Sequence, residues 1–280
     1  MGYNIEGDPR PARPPLLEPE NFLPPALALG VSAIISLGGW ATRALTGTGA
    51  LAATAIGGVI LWRTGWPGMA ALGTFFVGAS LVSRLAPDRS LIELDAKGAQ
   101  RDPWQVLANG GAAAIGALVA PTSGAALWIV TASLAAAAAD TWATSCGGWS
   151  RVAPRHILTW QFVPAGTSGG VTLAGSFGSL VGAASVGIAA ALAASRIALF
   201  PLALVLGMLG MTVDSLIGAA LQGRFHCPAC DRSTERRVHR CGSRTTLSGG
   251  LRWLTNDGVN GLATGLAALA GLAAWRWWGG

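Results

Sequence analysis

Four carboxylates in this chain stand where carboxylates are costly. Asp140 follows a run of five alanines, Asp214 lies inside an apolar stretch, and Asp102 and Asp257 open two others. Charged groups near membrane depth are expensive and usually functional. Amides accompany them: Asp102, Gln105 and Asn109 share one helical face, as do Asn256 and Asn260. A cluster of like charges repels itself unless cations neutralise it. Mg²⁺, which takes a few carboxylates together with substrate phosphate oxygens, suits such a group. Coupling of H⁺ or Na⁺ to transport is the other solution. For Asp102 a simple helix-capping role competes, because the dipole alone favours Asp at an N-terminus. For Asp140 the competing role is a hydrogen bond between helices.

Two further motifs carry chemistry. Gly166-Thr167-Ser168-Gly169-Gly170 precedes an apolar stretch, and a glycine turn before a helix N-terminus can cradle phosphate through backbone N–H groups. It lacks the Lys-Ser/Thr ending of a Walker A loop. Cys227-x-x-Cys230 with Cys241 and a nearby His offers the soft donors of a tetrahedral zinc site, His239 ahead of His226 as fourth ligand. Three or four ligands on one short loop look like a structural staple. Cys146 stands apart and reads as a packing residue.

The elements that position these residues read as membrane helices. Only 11% of the 280 residues are charged, against roughly 25% in ordinary soluble domains. Apolar residues make up 51%, and the 40 glycines let helix backbones approach closely in lipid. The expected fold is an all-α, polytopic integral membrane bundle of about eight spans, near Phe22–Trp40, Thr46–Trp62, Pro67–Leu85, Pro103–Ala120, Gly124–Cys146, Ser168–Ala194, Ile197–Gln222 and Thr255–Trp278. Residues 1–21, with five prolines and four acids, read as a disordered polar tail rather than a signal peptide. Residues 22–280 form the transmembrane domain, and 223–252 a Cys/Arg-rich loop within it.

Laid out this way, fourteen of the nineteen Lys/Arg residues fall in the odd-numbered loops. The positive-inside rule puts those loops in the cytoplasm and both termini outside, in a cell inner membrane. The same asymmetry accounts for the basic isoelectric point of about 10.1 without a nucleic-acid partner. Several of the twelve Trp residues mark helix ends, as interfacial indoles do. The motifs thus meet at the cytoplasmic ends of their spans, with Lys97 and Arg101 beside them.

Together these motifs resemble a known family. Lys97-Gly98 through Gln105-Val106-Leu107-Ala108-Asn109-Gly110 is similar to its Gln-Val-x-Ala-Asn-Gly signature. Ala139-Asp140-Thr141-Trp142-Ala143-Thr144, Gly166-Thr167-Ser168-Gly169-Gly170-Val171, Asp214-Ser215-Leu216-Ile217-Gly218-Ala219 with Gln222, the cysteine loop, and Trp253 with Asn256-Asp257 and Asn260 follow in the same order. The family is the domain-of-unknown-function 92, or transmembrane protein 19, family. It includes the chloroplast phytyl-phosphate kinase and is distantly similar to phytol and dolichol kinases.

The resemblance implies transfer of a γ-phosphoryl group, from CTP, to a polyprenyl monophosphate. Asp140 and Asp214 would hold Mg²⁺; Lys97, Arg101 and the Gly166–Gly170 turn would contact phosphate; Asp102, Asn109, Asn256, Asp257 and Asn260 would orient metal or nucleotide. Partners would be an isoprenoid lipid and a nucleotide, with other membrane proteins in a complex. In one position the chain departs from the family: an acidic residue usually follows the Asp-Thr-Trp-Ala segment, and Ser145 stands there. A secondary transporter or lipid-phosphate carrier, and a non-catalytic subunit of a membrane complex, are the alternative functions.

Overall fold

The computed structural model describes residues 23–86 and 100–279. The expected tail 1–21 and Lys97 lie outside the described residues. Seven helices carry the fold: α1 (Pro25–Ala41), α2 (Gly47–Leu85), α3 (Pro103–Val119), α4 (Ser123–Gly147), α5 (Leu173–Ala194), α6 (Leu199–Leu221) and α7 (Asn256–Trp278). Five of them, α2 and α4 to α7, are long and apolar enough to cross a membrane. The protein is a mostly helical integral membrane bundle.

The second and third expected spans are the two arms of one element. α2 runs 39 residues but breaks at Gly65, whose φ of 63° and ψ of −157° suit only glycine, and Pro67 follows. The arms fold back on each other. Arg101 exchanges backbone hydrogen bonds with Ala44 and Thr46, next to the start of α2, while its guanidinium donates to Ser80 Oγ at 3.2 Å in the second arm. Arg84, near the end of α2, donates to Thr42 O at 2.6 Å. Both ends of α2 therefore lie at the same end of the bundle. At the opposite end Arg63 donates to Ala117 O and Ala120 O, satisfying carbonyls left open where α3 stops.

α4 is the central helix. It packs against α2, α3, α5, α6 and α7, and every residue from Gly124 to Ala139 is buried. A helix apolar all round belongs in the middle of a bundle, and alanine lets its neighbours come close. The face of α5 toward α4 carries Gly175, Gly178 and Gly182. A Cβ at each would stand 2.8 Å from Ala143 O, Trp142 O and Ala138 O, so no other residue allows this approach.

Two small sheets interrupt the helical plan. β1 (Arg155–His156) pairs antiparallel with β2 (Gly170–Val171). The Cys/Arg-rich segment, expected as a loop, folds into a three-stranded antiparallel sheet of order β4-β3-β5, with β3 at Arg224–Cys227, β4 at Arg232–Thr234 and β5 at Thr246–Gly249. The sixth expected span starts later than Ser168. Gly170–Val171 are held in the β1–β2 pair, and Thr172 caps α5 by accepting Gly175 N–H at 2.9 Å.

The break in α2 yields a paired test. Gly65→Ala forces a side chain into a region only glycine occupies and should cost about 1–3 kcal/mol. Gly73→Ala lies in the same helix with nothing within 4 Å of the new Cβ, and should be neutral or stabilising by about 0.5–1 kcal/mol. Thermal unfolding in detergent measures both; equal midpoints for the two variants would contradict the break.

Candidate functional site

Four helices bring one polar side chain each to a common pocket: Asn109 from α3, Asp140 from α4, Asp214 from α6 and Asn260 from α7. Ala136, Ala137, Gly210, Ala263 and Thr264 complete the lining. Small residues make the convergence possible, since a Cβ on Gly210 would stand 3.3 Å from Ala136 Cα. Thr264 Oγ1, 2.8 Å from Ala108 O, ties α7 to α3 beside the pocket. Each polar residue lies about one to two helical turns inside the end where the basic loops gather.

Three oxygens of this pocket lack donors among the described residues. Asp214 is 9% exposed, and its Oδ2 is buried with no hydrogen-bond partner; Asn109 Oδ1 and Asn260 Oδ1 are in the same condition. Asn109 turns its nitrogen away, donating from Nδ2 to Gln105 O at 2.8 Å, so its oxygen is left for the pocket. A buried polar atom without a partner costs about 1–3 kcal/mol. Three such atoms amount to a substantial part of a domain's total stability of about 5–15 kcal/mol. Converging hard oxygens of this kind describe a seat for a small hard cation.

Two expected members stand elsewhere. Asp102 is the N-cap of α3: its Oδ1 accepts Gln105 N–H at 2.9 Å, and Gln105 Oε1 accepts Asp102 N–H at 3.1 Å. This reciprocal capping box occupies the carboxylate at the helix entry. Asp257 sits in the first turn of α7, where the dipole favours an acid, and does not line the pocket. Asn256 is exposed at the opening of the same helix. The expected meeting of four carboxylates is thus a meeting of two carboxylates and two amides. Ser145 is buried and faces Ser83 Oγ at 3.5 Å, away from the pocket.

Arg101 and the glycine turn, the expected phosphate contacts, do not line the pocket. The Arg101 guanidinium stacks over Phe75 and Phe76, 5.7 and 5.6 Å from the ring centroids, and has no carboxylate partner among the described residues. Burial pushes it down to about 10, still charged at neutral pH. The Gly166–Gly170 turn uses left-handed backbone at Gly166 and Gly169. It docks on the C-terminal end of α6 rather than running into α5. Ser168 Oγ donates to Gln222 Oε1 at 2.9 Å, and a Cβ on Gly169 would stand 3.0 Å from Ala219 Cα. Thr167 N–H and Gly170 N–H are spent inside the turn, on Pro164 O and Thr167 O.

A second cluster lies in the three-stranded sheet. The donor atoms of Cys227, Cys230, His239 and Cys241 all fall within 4.8 Å of one another. His239 Nδ1 is 3.1 Å from Cys241 Sγ, whereas His226 pairs with Asp231 at 3.4 Å and stays outside. The hydrogen bond with His239, aided by Ser243, lowers the Cys241 thiol to about 6; the hydrogen bond with Cys241 and burial raise Cys230 to about 11.

Comparison with known proteins agrees with the membrane architecture. The family described as "Integral membrane protein DUF92" matches residues 30–268. The chain is 28% identical over 265 residues to "Protein PGR" of Arabidopsis thaliana, covering 83% of this chain and 90% of that protein. It is 29% identical over 182 residues to "Uncharacterized membrane protein MJ0933" of Methanocaldococcus jannaschii, covering 65% of this chain and 76% of that one. No solved structure matches it.

The capping assignment separates Asp102 from the pocket. Asp102→Ala should lose about 1 kcal/mol, and Asp102→Asn, which still caps, only a few tenths. Calorimetric titration should give the same Mg²⁺ isotherm for both as for the wild type. A weakened isotherm in Asp102→Asn would return Asp102 to the site.

Proposed function

The chain belongs to the DUF92 family of integral membrane proteins, and from that premise we propose that it is a kinase using CTP to convert a polyprenyl monophosphate to the diphosphate. The observation that carries the proposal is the pocket of Asn109, Asp140, Asp214 and Asn260, where three buried oxygens have no donor. Phosphoryl transfer depends on positioning and charge stabilisation more than on covalent chemistry. The acceptor is itself an anionic phosphate, so no strong base is required of the protein.

The pocket residues fit Mg²⁺: two carboxylates and two carboxamide oxygens are hard donors, and three of these residues present an oxygen that lacks any other partner. Bound there, Mg²⁺ would draw the nucleotide's phosphate oxygens to the pocket mouth and offset their charge. Asp140 and Asp214 would supply the negative charge to hold it, with Asn109 and Asn260 as neutral oxygen donors from the flanking helices. Arg101, held by its two phenylalanines, would offset charge on phosphate oxygens, and the sequence offers Lys97 for the same role. The Gly166–Gly170 turn, with Thr167 and Ser168, supports the nucleotide side of the rim.

The topology proposed with this function has eight crossings, the arms of α2 being counted separately. Both termini then lie outside, and the basic loops lie in the cytoplasm of a cell with an inner membrane. The isoprenoid tail stays in the bilayer between helices while its phosphate reaches the rim. Ser145, packed on Ser83, leaves the pocket's own carboxylates in place. Two carboxylates meeting between helices also suit a cation-coupled carrier of lipid phosphate, the second reading.

Purified protein with labelled CTP and a prenyl monophosphate decides between them. Asp140→Asn and Asp214→Asn should each lower kcat by about 10²–10³-fold. Asn109→Ala and Asn260→Ala should raise the Mg²⁺ concentration needed for half-maximal rate. Counterflow of lipid phosphate in vesicles without CTP consumption would replace the kinase with the carrier.

A further inference from the structure

We propose that Cys227, Cys230, His239 and Cys241 hold one zinc ion, and that the sheet it staples positions the Gly166–Gly170 turn through a chain of side chains, Glu235–Gln222–Ser168. The claim concerns this chain's own residues and is independent of the kinase reading.

The metal half rests on geometry. A tetrahedral zinc with Zn–S bonds of about 2.3 Å sets its sulfurs about 3.8 Å apart. Cys227 Sγ and Cys241 Sγ are 3.6 Å apart, and all four donors lie within 4.8 Å of one another. They sit on two turns brought face to face. Cys227 ends β3 and Cys230 stands just before β4. His239 and Cys241 lie in a second turn closed by His239 N–H to Ser243 O at 2.9 Å and by Gly242 N–H to His239 O at 2.9 Å, with Gly242 at a φ of 86°. Two such knuckles presenting three sulfurs and one imidazole make a closed structural site.

The sheet also needs a staple. Its strands are four, three and four residues long. From Arg224 to Gly249 the buried side chains are Phe225, Cys227, Thr234 and His239. One aromatic ring is too little core for an independently stable sheet, and small units of this kind lean on metal.

The positioning half rests on a continuous path. Gln222 is 2% exposed at the C-terminal cap of α6. Its Nε2 donates to Glu235 Oε1 at 2.7 Å, just beyond β4, and its Oε1 accepts from Ser168 Oγ at 2.9 Å. One amide thus joins the sheet to the glycine turn with both of its ends. The sheet's own root is tied to the helices by Leu251 N–H to Leu221 O at 2.8 Å and Gly223 N–H to Leu254 O at 2.9 Å. Loosening the knuckles frees Glu235, then Gln222, then Ser168.

The test uses the full chain in detergent. Elemental analysis should find about one zinc per chain. Cobalt substitution should give the absorption of a tetrahedral thiolate site. Cys227→Ser and Cys230→Ser together should abolish both, and so should His239→Ala, whereas His226→Ala should keep the metal. A metal-free wild type, or loss of zinc in His226→Ala instead of His239→Ala, overturns the site. Hydrogen exchange then reads the path: stripping zinc should speed exchange across residues 164–172 by about tenfold. Gln222→Leu should do the same while retaining zinc, which shows that it has folded; Glu235→Ala gives a second variant with the same expectation. Unchanged exchange in the stripped protein and in a zinc-retaining variant overturns the positioning role.

Discussion

A carboxylate enclosed by helices has few ways to exist, and Asp214 is enclosed with one oxygen facing another carboxylate's pocket. No donor reaches its Oδ2 among the described residues, so surroundings that offer a positive partner would favour it. The neighbours fit that requirement. Asn109 points its nitrogen at its own helix and its oxygen inward. Asn260 likewise leaves a buried oxygen without a donor. Three buried oxygens without a donor at one point depart from ordinary packing, where buried polar groups are hydrogen-bonded.

The requirement reaches back into the composition. Four polar side chains can meet from four helices only if those backbones come close, and that needs small residues at the crossings. α4 meets the need with its alanine run and α6 with Gly210, while the Gly175–Gly178–Gly182 stripe seats α5 against the segment of α4 that carries Asp140. The glycines that look like low complexity along the chain are the contacts that bring Asp140 to its depth. The same logic explains why the charge divides so sharply. Asp140 and Asp214 sit inside, screened from lipid by other helices, while most arginines stay in the loops or near helix ends, where water and headgroups solvate them.

Much of this was legible beforehand, for a definable reason. Hydropathy and arginine placement respond to the bilayer, which acts on every residue alike, so the apolar segments and the shared end of the motifs could be read directly. The convergence of Asp140, Asp214, Asn109 and Asn260 followed, because each lies at a similar depth in its own segment. Which face of a helix a residue occupies relative to its neighbours was not legible. Asp102 has a depth and a stripe like those of a site residue, yet Gln105 at the third position of the helix claims its carboxylate. The capping box was visible as Asp-x-x-Gln, and it outranked the stripe. The late start of α5 had its own signal in Thr172, a good cap three residues before a glycine. The β-sheet of the cysteine segment had none, since its strands are too short to show alternation.

The cysteine segment also alters how the loops should be understood. An arginine-rich connection needs only charge to stay in the cytoplasm, and disorder would serve that purpose as well as order. Here the connection between α6 and α7 returns to the bundle at defined points, by backbone bonds to Leu221 and Leu254 and by the buried amide of Gln222. A buried Gln bonded at both ends is expensive to misplace, because either half left alone forfeits its partner inside the protein. The two helices that contribute Asp214 and Asn260 are therefore joined by a folded unit rather than a tether. The physical continuity from Asp214, along the last two turns of α6 to Gln222, and on to the glycine turn and the sheet makes the pocket, its rim and the cysteine cluster one mechanical unit.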